Sequence, residues 1–105
     1  MGFLDFLKGP DINRGVEEFK ETPGAVLIDV RTTPEYRQGH IPKSISVPLQ
    51  TIDRVAKIVK NESTPIFVYC QSGARSRQAA GALRRMGYKQ VTDMGGIAMY
   101  HGKVE

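Results

Sequence analysis

Cys70 is the only cysteine among 105 residues, and it closes an apolar run, Pro65-Ile66-Phe67-Val68-Tyr69. Gln71, Ser72, Gly73, Ala74, Arg75 and Ser76 follow it. The pattern reads as a strand, a thiol, a loop of small and polar residues, an arginine, and then a helix over residues 76–86. Gly73, with the small Ser72 and Ala74, permits a tight curl that turns backbone N–H groups inward. The start of the helix brings its positive end to the same place. Both effects favour a thiolate over a thiol and give an anion somewhere to sit. Arg75 supplies a permanent charge and a planar fork of donors suited to an oxyanion. These residue types at C-x4-R spacing point to a nucleophilic cysteine with an anion cradle around it. Cysteine is also a common small core residue. The strand–loop–helix setting and the arginine argue against that plainer reading.

A thiol placed this way needs a rigid strand beneath it and a helix behind it. Ala25-Val26-Leu27-Ile28-Asp29-Val30 is a near-continuous apolar run, as in a strand covered on both faces. Thr32 and Glu35 have capping-box spacing, with Pro34 in the first turn and Gly39 as the stop. Upstream, Asn13 is the expected N-cap of a short helix through Val16 and Phe19 that ends at Thr22-Pro23-Gly24. Ile45-Ser46-Val47-Pro48 predicts a short strand. From Thr51, the spacing of Ile52, Val55, Ala56 and Val59 predicts a helix ending near Asn61. Behind the cysteine loop, Ala79, Ala80, Leu83 and Met86 form the apolar face of the helix, with Gly87 at C′. Gln90-Val91-Thr92 predicts a last short strand, followed by Gly95-Gly96 and a final helical turn.

Strands alternating with helices imply an α/β fold: a parallel sheet, right-handed crossovers and helices on both faces. Sites in such folds lie at the carboxyl ends of the strands. Asp29, Arg31 and Cys70 therefore share one rim.

Composition sets the outer bounds. The length fits one domain over residues 11–105, preceded by a short amphipathic segment over residues 1–10. Apolar content of 40% and charged content of 25% are ordinary for a globular chain. A single cysteine forms no internal disulfide, which fits a cytoplasmic setting. The net charge of +4 comes without a dense basic run or aromatic-interleaved stripe, so no nucleic-acid partner is expected. No span is long enough to cross a membrane. The N-terminal Met1-Gly2-Phe3-Leu4-Asp5-Phe6-Leu7-Lys8 is too short and too charged for a signal-peptide core, and it lacks the hydroxyl residue of a myristoylation motif.

The segment from Cys70 to Ser76 resembles the active-site loop of the rhodanese family of sulfurtransferases. The likeness extends to Asp29-Val30-Arg31, Glu35-Tyr36 and Gly39-His40-Ile41-Pro42 upstream, and to Gly95-Gly96-Ile97 downstream. Five blocks in order cover the chain from about Ile12 to Glu105. The resemblance implies a rhodanese-like three-layer α/β/α sandwich around a mainly parallel sheet. It also implies sulfur transfer through a persulfide on Cys70. The backbone amides of Gln71, Ser72, Gly73, Ala74, Arg75 and Ser76 would cradle the added sulfur, and Arg75 would bind the anionic donor or help hold the charged persulfide. No metal or organic cofactor is implied. The implied partners are a small sulfur donor such as thiosulfate and an acceptor, either cyanide or a thiol, with a protein thiol as a further class. A self-contained fold makes a monomer the simplest expectation. Related phosphatases use a Cys-to-Arg loop one residue longer, which disfavours phosphatase or arsenate-reductase chemistry here. A persulfide carrier or regulatory module with slow turnover of its own is the other reading.

The remaining motif residues have structural readings. Asp29 and Arg31 suit an ion pair that holds strand to loop, with Glu35 as a candidate third member. His40 suits a turn in which its ring nitrogens satisfy nearby backbone. Lys43 and Ser44 stand where the family usually has Gly-Ala, and Tyr100 stands near a frequent tryptophan.

Overall fold

The central strands divide their side chains between two cores. The computed structural model describes residues 9–105, so the expected amphipathic segment lies almost wholly outside the described residues. Four strands form a parallel sheet: β1 (Val26–Asp29), β2 (Ile45–Ser46), β3 (Ile66–Cys70) and β4 (Val91–Gly96), in the order β2-β1-β3-β4. The helices are α1 (Ile12–Lys20), α2 (Thr33–Gln38), α3 (Val55–Ile58) and α4 (Ala74–Arg85), with 3-10 turns at Leu49–Arg54 and Ile97–Met99.

Strand side chains alternate with a period of two, so a strand with both faces covered must be apolar throughout. All five residues of β3 are buried. Ile66, Val68 and Cys70 point into one core with Ile28, Val30, Val55, Ala79, Ala80 and Leu83. Phe67 and Tyr69 point into the other with Leu27, Ile12, Val16, Ile41 and Met94. Helix α4 and the segment around α3 close the first face, and α1 closes the second. The expected three layers are present, with Cys70 at the carboxyl end of the middle strand β3.

Four local expectations need correction. The N-cap of α1 is Asp11, whose Oδ1 accepts from the N–H groups of Asn13 and Arg14. Asn13 lies inside the helix instead and ties it to the end of the chain: its Nδ2 donates to Met99 O, and its Oδ1 accepts from His101 N–H. The helix expected from Thr51 to Asn61 is a 3-10 turn, irregular at Thr51 (φ −121°, ψ 31°), followed by the single turn α3. The β-branched residues along it resist a regular α-helix, and Ala56 faces solvent. The second strand stops at Ser46, before Val47 and Pro48. The last strand runs on through Gly96, because Gly96 pairs with Cys70 across a register irregularity.

Candidate active site

The strand end carries Cys70 to the rim, and the residues after it turn back at once. Gly73 adopts φ 110°, a left-handed conformation in which a Cβ would be strained. That turn brings the Gly73 N–H to 3.0 Å from Cys70 Sγ. Helix α4 starts at Ala74, two residues earlier than expected, so Arg75 and Ser76 lie in its first turn rather than in the loop. Gly73 has no side chain with which to cap the helix. The first-turn N–H groups of this 12-residue helix therefore have no side-chain cap, and the helix begins with its positive end at the residue whose N–H meets the sulfur. Cys70 itself is 1% exposed.

Two guanidinium groups stand near the loop, and each is tied to a carboxylate. Arg31 is 4% exposed and Asp29 is fully buried. Arg31 donates from Nε to both Asp29 oxygens and from Nη2 to Asp29 Oδ2 at 2.7 Å. Its remaining contacts reach out: Nη2 donates to Gly39 O, and Nη1 to Gln71 Oε1. Burial works against the Arg31 charge, but the Asp29 hydrogen bonds and charge outweigh it, and its pKa lies above the ordinary value. The pair therefore joins the end of β1 to the first residue of the cysteine loop. Arg31 also lies over the Tyr69 ring at 5.7 Å. Burial pushes the Tyr69 hydroxyl pKa up. That hydroxyl accepts from Ile41 N–H and shares a hydrogen bond with Ser44 Oγ.

Arg75 pairs with Glu35. Its two terminal nitrogens donate at 2.7 and 3.0 Å to the two carboxylate oxygens, a fork-to-fork contact across 40 residues of sequence. Glu35 also completes the capping box of α2: its Oε1 accepts from Thr32 N–H and Oγ1–H. The hydrogen bond from Arg75, followed by that from the Thr32 backbone, lowers the Glu35 pKa from 4.5 to about 2. Glu35 in turn raises Arg75, and the charge of Cys70 adds to this. A carboxyl lowered in the folded state stabilises the fold above its unfolded pKa and loses that effect as pH falls. Glu35→Gln keeps the capping-box geometry and removes the charge. We expect the wild-type stability advantage over this variant to shrink as pH falls from about 4.5 to about 2. Chemical denaturation across that range measures it, and a pH-independent difference would rule out the charge pairing as its source.

The other expected residues have plain positions. Ser72 and Ala74 are exposed, and Gln71 is exposed with its side-chain oxygen on Arg31. Ser76 is fully buried and donates to Asp93 Oδ1 at 2.7 Å. His40 lies on the Tyr36 ring at 3.8 Å, nearly parallel to it, with Nδ1 3.0 Å from Tyr36 O. The contact with a carbonyl assigns the proton to Nδ1. Asp29, Arg31 and Gln71 thus form one group and Glu35 and Arg75 another, while His40 sits beside Gly39 at the edge of the first. Lys43 has φ 74°, a left-handed conformation that favours glycine over a side-chain-bearing residue.

Sequence reading missed Asp93 and the role of Gly96. A Cβ on Gly96 would collide with Gln71 O and Ser72 Cα, so β4 forms a close wall behind the loop. Gly95-Gly96 marked a close backbone approach in principle, but nothing pointed to which segment approaches. Asp93 alone in a short strand carried no signal. A groove of about 670 Å³ is lined by Ser72, Gly73 and Ala74 of the loop together with Asp93, Gly95 and Gly96 of β4, and Cys70 is not part of its wall. Among the described residues, no cluster of histidine, cysteine and carboxylate groups is arranged to hold a metal ion, and no helix is long and apolar enough to cross a membrane.

Known proteins resemble this chain in sequence and fold. A sulfurtransferase of Allochromatium vinosum is 37% identical over 90 residues, which span 82% of this chain and 82% of that protein. The thiosulfate sulfurtransferase PspE of Escherichia coli is 38% identical over 71 residues, covering 67% of this chain and 68% of its own. Among solved structures, a rhodanese with anions from E. coli superposes with a TM-score of 0.73 at 33% identity, covering 77% of this chain and 96% of that one. The family model for the rhodanese-like domain matches residues 14–103. With the cysteine loop, the parallel sheet and these relatives in agreement, the chain belongs to the rhodanese-like family, as its sequence motifs implied.

Proposed function

We propose that the protein is a sulfurtransferase that moves sulfane sulfur from a donor such as thiosulfate to cyanide or a thiol through a persulfide on Cys70. The observation that carries this reading is the Gly73 N–H at 3.0 Å from Cys70 Sγ, at the head of α4 and within a C-x4-R loop. In the first step the Cys70 thiolate attacks the outer sulfur of thiosulfate. The donor S–S bond breaks, its electron pair leaves on sulfite, and the added sulfur stays as the terminal atom of a persulfide anion. In the second step cyanide attacks that atom. The persulfide bond breaks, thiocyanate leaves, and the thiolate returns. A thiolate acceptor follows the same course and leaves as a persulfide. Backbone amides of residues 71–76 hold the terminal sulfur, and no other co-reactant is needed.

Intact-mass measurement tests this directly. Thiosulfate should add the mass of one sulfur atom, and cyanide should remove it. No adduct on the wild-type protein would refute the proposal. If the adduct forms and transfers once but cyanide turnover stays slow, the protein acts as a persulfide carrier instead.

Arg75 acts in this reading from within its ion pair. Both of its terminal nitrogens serve Glu35, so its charge supports the persulfide through space, while the amides make the contact. Arg75→Ala would remove that charge and leave Glu35 as an unpaired anion near the loop. We expect kcat/KM for thiosulfate to fall by about 1.5 kcal/mol, roughly tenfold. Arg75→Lys should recover only part, because an ammonium does not span two carboxylate oxygens as the fork does. Adding Glu35→Gln to Arg75→Ala should restore part of the loss. Steady-state kinetics of the three variants and wild type checks this, and an alanine variant equal to wild type would remove Arg75 from the site.

A further inference from the structure

We propose that Asp93 is a positioning residue for the cysteine loop: through Ser76, its carboxylate fixes the head of α4 and the Gly73 turn against the end of β4. The inference rests on the persulfide reading and adds a residue that does not itself contact the sulfur.

Ser76 is fully buried, and its hydroxyl has one hydrogen to give. Three acceptors face it: Asp93 Oδ1 at 2.7 Å, Gly73 O at 3.1 Å and Gly95 O at 3.4 Å. The shortest contact goes to a carboxylate, and charge-assisted hydrogen bonds are the stronger kind, so the hydrogen goes to Asp93. The same Asp93 oxygen accepts from Gly95 N–H at 3.0 Å. One carboxylate oxygen therefore holds the first turn of α4 and the bend of β4 together.

The bend matters because β4 is the wall of the loop. Gly96 lies so close to Gln71 and Ser72 that no side chain fits between them. Just beyond it, Ala98 N–H donates to Gln71 O at 3.1 Å. The far side of the loop is Gly73, whose carbonyl faces Ser76 and whose N–H meets Cys70 Sγ. Without the Asp93 carboxylate, the Ser76 hydrogen turns to Gly73 O at 3.1 Å, the nearer of its two remaining acceptors. That bond lies within the loop and first turn and ties neither of them to β4. The loop then loses the side-chain tie that sets its distance from its own wall, and the amides lose their aim at the sulfur.

The test uses the full chain with thiosulfate and cyanide, comparing Asp93→Ala, Asp93→Asn, Ser76→Ala and the double alanine variant. Misplacement by 1 Å can cost about a hundredfold, and a loosened tie should shift the loop by less. Asp93→Ala should therefore lower kcat roughly tenfold and change the thiosulfate KM by less than about threefold. Asparagine keeps a side-chain acceptor without the charge, so Asp93→Asn should stay within about threefold of wild type. Ser76→Ala cuts the same tie from the helix side and should match Asp93→Ala. The double variant should be no worse than either single one. Thermal unfolding confirms that each variant is folded. If Asp93→Ala does not fold, Ser76→Ala carries the same expectation. Full kcat in folded Asp93→Ala or Ser76→Ala would overturn the proposal, and so would an Asp93→Asn as impaired as the alanine variant. Failure of the persulfide reading is a separate result, seen as a wild-type protein that takes up no sulfur.

Discussion

Cys70→Ser is expected to abolish both the sulfur adduct and thiocyanate production, with activity falling below detection. The serine hydroxyl occupies nearly the same volume at a site that is 1% exposed, and it can still accept from the Gly73 N–H, so the fold should survive. What disappears is chemical. The nucleophile in exchange at sulfur is a thiolate, and a serine hydroxyl is not ionised at neutral pH. An alkoxide, even if formed, would give an O–S bond in place of a persulfide. Intact mass after thiosulfate treatment and a thiocyanate assay read the two halves of the reaction separately. Far-ultraviolet circular dichroism and a melting curve establish that the variant is folded. A serine variant that still makes thiocyanate would place the chemistry elsewhere on the protein.

The second large effect concerns the length of the loop. Inserting one glycine between Gly73 and Ala74 converts C-x4-R to C-x5-R and keeps Cys70 and Arg75. An added residue brings up to about 3.3–3.6 Å of contour, into a turn where one N–H already meets the sulfur at 3.0 Å. The loop also has nowhere to retreat, because the Gly96 backbone blocks it from behind. It must therefore bulge outward and carry its amides off the sulfur. Misplacement of about 1 Å can cost roughly a hundredfold, and sulfurtransferase activity should fall by at least that much. Little phosphatase activity should appear in exchange. A phosphoryl group presents three peripheral oxygens that a wider ring could reach, but the leaving group also needs an acid, and the insertion supplies none. Parallel kinetics on thiosulfate with cyanide and on an aryl phosphate measure both. Appreciable phosphatase activity in the unmodified protein, lost in Cys70→Ser, would overturn the sulfurtransferase assignment.

Local signals were readable in the sequence where the structure depends on neighbours along the chain. The buried runs of β1 and β3 show as continuous or nearly continuous apolar stretches because both faces of each strand are covered. The capping box at Thr32 and Glu35 was legible because its two bonds span three residues. The loop around Cys70 was legible because the strand, the turn and the helix start are contiguous. Partners chosen by the fold were less accessible. Glu35 was grouped with Asp29 and Arg31, yet its carboxylate belongs to Arg75, 40 residues away. Arg75 read as a free anion binder because nothing nearby in sequence neutralises it. The segment after Thr51 has apolar residues at helical spacing, but only Val55 and Val59 among them are fully buried, and tertiary packing of those two leaves the rest irregular. Asn13 has the chemistry of an N-cap, but Asp11 takes that place and leaves Asn13 free to hold the chain end.

The order of the sheet has a consequence for how the protein acquires its reactivity. Strand β3, which ends in the cysteine, lies between β1 and β4, and every pairing is parallel. Parallel neighbours cannot be joined by a tight hairpin, so each pairing closes a long loop. The polar ties around the thiol have the same character: Arg31 to Gln71 and Glu35 to Arg75 each span 40 positions, and Ser76 to Asp93 spans 17. Closing such loops costs entropy before any contact returns it, which slows folding relative to a helical chain of similar length. A chain still emerging from synthesis, or one refolding from denaturant, therefore carries its cysteine before it carries the surroundings that make the cysteine useful. Sulfur uptake should recover last during refolding, after the bulk of the secondary structure, because the cradle is a product of the finished topology.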